Sequence, residues 1–307
     1  MPSGELTRRT MALSGLMTAG FAPAVRAQDA PAFATSTERR GLLTVPVRIN
    51  DQGPYAFAID SAANASVIAR DLAARLALAD AGVVTMHTVV AEEQAPTVLA
   101  AGLRTGALNV RDARLVVADR QAMGGLDGLL GTDLLAGLRL VLNFRRRTRV
   151  DITRPRRHSE RGRNGLWLDG RAPMRGEQRF DGLLLIDAMA RGVRCKCIVD
   201  TGAGTSIINT ALALRAQARP LALPDGARVS QVLSPTGSGA PGEAMMLPEL
   251  QLGVLRVSRI PVLAGDFHTF AIWGLADRPA MLLGVDVLGL FNTVTIDLLR
   301  GELLLDP

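Results

Sequence analysis

Two aspartates in similar settings carry the chemistry this sequence offers. In "AIDSAANASV", Ala58 to Val67, an apolar run ends at Asp60 and gives way to Ser61, Ala62 and more small residues. "CIVDTGAGTS", Cys197 to Ser206, repeats that outline 140 residues later around Asp200, Thr201 and Gly202. One such triplet reads as a turn after a strand. Two in register weigh against that reading. Carboxyl groups held about 3 Å apart cannot both ionise, so they keep one shared proton and present an acid and a base together. Such a pair can activate water against a carbonyl without a metal or a protein nucleophile.

Competing machinery is lacking. The sequence has no Gly-x-Ser-x-Gly elbow, no phosphate-cradling loop and no histidine beside a candidate nucleophile. His87, His158 and His268 are scattered, with no cysteine or carboxylate at ligand spacing, so neither metal nor cofactor is expected. Cys195 and Cys197, two apart on one strand face, would have Cα atoms about 6.5 to 7 Å apart, near the limit for a disulfide. They read as buried apolar residues.

The elements that must position the aspartates are themselves repeated. "FAIDSAANASVIARDLAARLAL" from Phe57 lies over "CIVDTGAGTSIINTALALRAQA" from Cys197 without a gap, matching Ser66 to Ser206 and Leu72 to Leu212 and closing each time on a short helix. Upstream, each half reads as two strands joined by a turn, the first at Asn50 to Gly53. Downstream, "GLDGLLGTDLL" and "PAMLLGVDVL" each place two apolar residues before a glycine, Gly131 and Gly284, then a helical turn and a closing hairpin. The offset has grown from 140 to 153, so the second half carries 13 extra residues.

These stretches resemble the retropepsin-like and pepsin-like aspartic proteases, from about Leu42 to Leu305. The resemblance implies a mainly β fold of two homologous aspartic-protease-like β-barrel lobes in one chain, each with a short helix. It implies that Asp60 and Asp200 are the catalytic pair, meeting at a pseudo-twofold axis, and that Ser61 and Thr201 bond across to the opposite loop. Ala62 and Gly202 complete the two loops. Ala62 stands where the family has glycine, and a Cβ there costs about 1 kcal/mol if φ is positive; Asn64 likewise faces Gly204 of the other half. Flap hairpins over an extended polypeptide substrate are expected at Val83 to Leu99 and Val229 to Met246, the second with a glycine-rich tip. The function implied is an exported aspartic endopeptidase. The alternative is a protease-like peptide- or partner-binding module with activity weakened or lost through Ala62.

Residues 1–27 read as a twin-arginine-type signal: Arg8 and Arg9, a mildly apolar stretch, and small residues before a cleavage point after Ala27. Periplasmic or secreted localisation, with no stable membrane anchor after cleavage, follows as an expectation. Losing three arginines and one glutamate lowers the net charge from +6 to +4. The remaining divisions are an N-terminal lobe over 28–152, an Arg/Gly/Pro-rich linker over 153–180 and a C-terminal lobe over 181–307. The linker arginines lack interleaved aromatics, so no nucleic acid partner is expected, and Arg145 to Arg147 read as a surface turn. With both lobes in one chain, the expected state is a monomer.

Overall fold

Thr44–Ile49 alternates exposed and buried side chains residue by residue, with Val45, Val47 and Ile49 in the core, which is the pattern of a strand covered on one face. In this computed structural model, which describes residues 24–26, 42–145, 149–155, 173–179 and 182–307, that strand opens a closed six-strand barrel. Around the ring it is followed by Gln52–Ile59, Gly128–Leu130, Val67–Ala69, Leu108–Ala118 and Glu92–Thr105. The ring closes where Arg48 and Ile49 pair with Arg104 and Leu103.

The second half repeats the ring strand for strand. Leu183–Ala190, Val193–Val199, Ala280–Leu283, Ile207–Ile208, Leu255–Ala264 and Gly239–Leu252 close through Met189 with Gln251 and Ala190 with Leu250. The chain is therefore mainly β, in two barrel lobes. Both opening hairpins turn through left-handed residues, Asn50 and Asp51 in one and Arg191 and Gly192 in the other. The expected helices form at Arg70–Arg75 and Thr210–Arg215, each burying the leucine and alanine of its third and fourth positions.

Strand register locates the 13 extra residues. The offset between the lobes is 140 at Ile68 and Ile208, 147 at their partners Val117 and Ala264, and 153 at their other partners Gly128 and Met281. Seven residues therefore enlarge the flap region and six enlarge the loop before Ala280. That second enlargement contains a helix, His268–Ile272, without a counterpart helix in the N-terminal lobe.

A five-stranded sheet joins the lobes. Arg139–Asn143 and Thr293–Asp297 lie antiparallel at its centre and bury Leu140, Leu142, Val294 and Ile296. Their hairpin partners Arg149–Thr153 and Glu302–Asp306 flank them, with Met174–Arg175 beyond the latter. Two short strands fall within the stretch read as a linker. Met174–Arg175 joins this sheet and Glu177–Arg179 pairs with Leu183–Leu185 of the C-terminal barrel. Strands of two and three residues are too short to show an apolar period.

Ala24–Arg26, inside the stretch read as a signal, runs parallel to Arg256–Ser258. The rest of the signal, Arg146, Arg147 and linker residues 156–172 lie outside the described residues. Cys195 and Cys197 are buried free thiols, as their apolar setting suggested. Among the described residues, no helix is long and apolar enough to cross a membrane.

Candidate active site

Each barrel delivers one aspartate to the seam between the lobes. Gln52–Ile59 runs into Asp60, whose N–H donates to Leu130 O at 2.9 Å; Val193–Val199 runs into Asp200, whose N–H donates to Leu283 O at 3.0 Å. The apolar pair before each glycine thus anchors the loop from behind. Thr132 N–H donates to Ala63 O and Val285 N–H to Ala203 O, fixing the far side of each loop in the same way.

The hydroxyls after the aspartates tie the two loops together. Ser61 N–H donates to Thr201 Oγ1 and Thr201 N–H to Ser61 Oγ, both at 3.1 Å. Ser61 Oγ–H donates to Val199 O and Thr201 Oγ–H to Ile59 O, both at 2.8 Å. Each buried hydroxyl accepts one bond and donates one, all across the lobe boundary, so its polarity is satisfied without water.

Asp200 Oδ1 accepts from Gly202 N–H at 2.8 Å and Ala203 N–H at 3.1 Å, and Asp60 Oδ1 accepts from Ala62 N–H at 3.1 Å. Both carboxyls border the groove, close enough for the charge of Asp60 to act on Asp200. Asp200 is 5% exposed and Asp60 is half-buried. Burial is the first cause of both upward pKa shifts. It pushes Asp60 up to about 6 against the N–H groups of Ala62 and Ala63. Asp200 rises well above the usual carboxylate range through burial and then the negative charge of Asp60, against the N–H groups of Gly202 and Ala203. The arrangement can hold one proton between two carboxyls.

The glycine positions differ in the two loops. A Cβ on Gly202 would overlap the Asp60 carboxyl, so the opposing carboxyl demands glycine there. Ala62 does not have positive φ, and its N–H reaches Asp60. The backbone cost attached to alanine at this position does not arise.

Behind each loop lies a second carboxyl that sequence reasoning missed. Ser66 N–H and Oγ–H donate to Asp133 at 3.0 and 2.7 Å, and Ser66 Oγ accepts from Gly131 N–H at 2.9 Å. In the other lobe Ser206 bonds Asp286 at 2.9 and 2.7 Å and accepts from Gly284 N–H at 2.9 Å. Burial pushes Asp286 up to about 6 and raises Asp133, each opposed by its serine. The signal was present in both halves: a serine six residues after the aspartate, and an aspartate two after the glycine.

Both expected flap hairpins form. Ala79–His87 pairs with Glu92–Thr105 and turns at Thr88 to Ala91, where Thr88 Oγ1 accepts from Val90 and Ala91 N–H. Val229–Leu233 pairs with Gly239–Leu252, and its tip is tied by Ser234, whose Oγ accepts from Ser238 N–H at 3.1 Å. The groove beneath them has Asp60 and Asp200 on its floor. Val89 and Pro235 from the two tips border both of its sides, one walled by Met123 and Leu263 and the other by Met86 and Trp273. Asn64 borders the second side.

A family model described as "Aspartyl protease" matches residues 45–134 and 186–287, one stretch in each lobe and together more than half of the chain. The chain belongs to the aspartyl protease family. Each match runs from the first barrel strand through the aspartate loop and past the carboxyl that holds the serine, so the family unit is the lobe and this member contains two. No curated protein matches the sequence. A retropepsin-like aspartic protease from Rickettsia conorii is similar at 20% identity and TM-score 0.25, over 33% of this chain and 75% of that one. Basic 7S globulin from soybean is similar at 10% identity and TM-score 0.43, over 88% of this chain and 92% of that one. The family assignment rests on the family model rather than on these two similarities.

Proposed function

We propose that this chain is an exported aspartic endopeptidase, single-chain and monomeric, that hydrolyses extended polypeptide with water held between Asp60 and Asp200. One observation carries the reading: two carboxyls of raised pKa bear on each other at the floor of a groove roofed by two hairpins. Asp60, with the lower pKa of the pair, serves as the base. It takes a proton from water as the water oxygen attacks the peptide carbonyl carbon, while Asp200 gives its proton to the carbonyl oxygen. In the second step the proton gained by Asp60 passes to the leaving amide nitrogen as the carbon–nitrogen bond breaks, and a hydroxyl proton of the intermediate returns to Asp200. Neither a metal nor a cofactor enters this scheme.

The buried hydroxyl bonds between Ser61 and Thr201 hold the carboxyls at a fixed separation, which is the contribution of pre-organised geometry to such a reaction. In this reading substrate lies extended beneath the hairpins and pairs through its main chain with the groove. Ala62 keeps its N–H on Asp60, which favours hydrolysis over binding alone.

The test is cleavage of an unfolded protein by the mature chain and by Asp60→Asn and Asp200→Asn. Each substitution is expected to lower the rate by about 10²- to 10⁴-fold, the range for losing a positioned acid or base. Undiminished cleavage in either variant contradicts the paired mechanism.

A further inference from the structure

His87 and His268 are 181 residues apart in sequence and belong to different lobes, yet His87 Nδ1 lies 3.4 Å from His268 Nε2, with ring centroids 5.6 Å apart and planes inclined by 32°. His87 is the last residue of the first flap strand; His268 opens the helix in the six-residue enlargement that breaks the symmetry of the lobes. One residue into the helix and two residues past the strand, a second bond crosses the same seam. Thr269 N–H, one of the first-turn groups a helix cannot satisfy internally, donates to Val89 O at the flap tip at 3.2 Å. His87, Val89 and Thr269 border the same side of the groove as the two aspartates.

We propose that His87 and His268 form a clasp that holds the N-terminal flap closed over the groove at neutral pH and releases it in acid. This rests on the groove being the substrate site. Two facing imidazole nitrogens can share one proton, one donating and the other accepting, only while at least one ring is neutral. When both rings are protonated the nitrogens become two donors bearing like charge. At 3.4 Å, even at the dielectric of water, that repulsion shifts an equilibrium by about tenfold.

The surrounding charges reinforce this direction. Glu92, opposite His87 in the hairpin, holds its Oε2 3.8 Å from the same Nδ1, so a protonated His87 has a partner within its own flap. Glu93 points to the other face of its strand by alternation. Asp266, two residues before His268, is engaged through Oδ1 by Thr210 N–H, and Asp60 and Asp200 lie at the groove floor. Acid therefore moves the Nδ1–H of His87 from the cross-lobe contact to Glu92.

Hydrogen exchange of the segment 84–95 tests the clasp without requiring turnover. In the Asp60→Asn chain, after correction for intrinsic rates, exchange at pH 5.0 is expected to be about tenfold faster than at pH 7.5. His87→Gln and His268→Gln, each added singly, remove the difference and leave exchange fast at both pH values, while Leu183–Ala190 serves as an internal reference for global loosening. Equal protection at the two pH values in the Asp60→Asn chain, or a difference that survives both histidine replacements, overturns the proposal. In the active chain, His268→Gln is expected to raise the KM for a peptide at pH 7.5 by more than it lowers kcat, and to change neither at pH 5.0. An unchanged KM at pH 7.5 separates the clasp from substrate binding. If the active chain shows no hydrolysis, the endopeptidase reading fails, but the exchange experiment still decides whether the clasp exists.

Discussion

Gly202 and Ala62 occupy equivalent places in the two loops but are under different constraints. The Asp60 carboxyl packs so closely on Gly202 that a methyl group there would lie inside it, whereas Ala62 accommodates its own methyl without a left-handed backbone. Gly202→Ala must therefore displace Asp60 and misalign the pair. A displacement of about 1 Å costs about 10²-fold in rate, so kcat is expected to fall by that order while thermal stability changes little. Steady-state kinetics together with calorimetry check this; a Gly202→Ala chain with unaltered kcat shows that the carboxyl spacing is looser than described. The two aspartates and their hydroxyl neighbours were readable from sequence because the repeat placed them over each other. The His87–His268 contact was not, since only the folded seam brings residues so distant into contact.

At the level of elements, each aspartate loop hangs from a serine that bonds both a carboxyl and the glycine N–H behind the loop. Ser206→Ala strands the buried oxygen of Asp286 and the N–H of Gly284 together. Leaving buried groups without partners costs about 1–3 kcal/mol each, so the variant is expected to lose about 2–6 kcal/mol by urea titration. A loss below about 0.5 kcal/mol would mean that the serine is incidental. Strands, short helices and both flap hairpins were legible because alternation, turn residues and the repeat agreed with one another. The strands Met174–Arg175 and Glu177–Arg179 were not, because runs of two and three residues are too short to show an alternating side-chain pattern. The serine–carboxyl ties were hidden for another reason: a polar residue one place into a helical turn looks like ordinary surface.

At the scale of the whole molecule, the site exists only while the lobes stay in register. Besides the hydroxyl bonds at the floor, the joining sheet sets that register through Leu140 against Ile296 and Leu142 against Val294. Ile296→Ala removes buried volume at the centre of that sheet and is expected to cost about 2–5 kcal/mol. Activity and global unfolding should then be lost together on heating; a chain that loses activity well before either barrel unfolds would show that the lobes separate as independent units. The duplication was visible in sequence as a matched pair of halves, while the sheet joining them had to be seen, since nothing in either half announces its partner strand. All of this organisation serves one claim, that two carboxyls share a proton, and a ¹³C nuclear magnetic resonance titration of the Asp60 and Asp200 side-chain carboxyls addresses it most directly. With the two resonances assigned through the Asn variants, the account predicts one transition near pH 6, a second at clearly higher pH, and a single carboxyl proton retained between them. Two independent transitions near pH 4, with both groups ionised at pH 6, would contradict it.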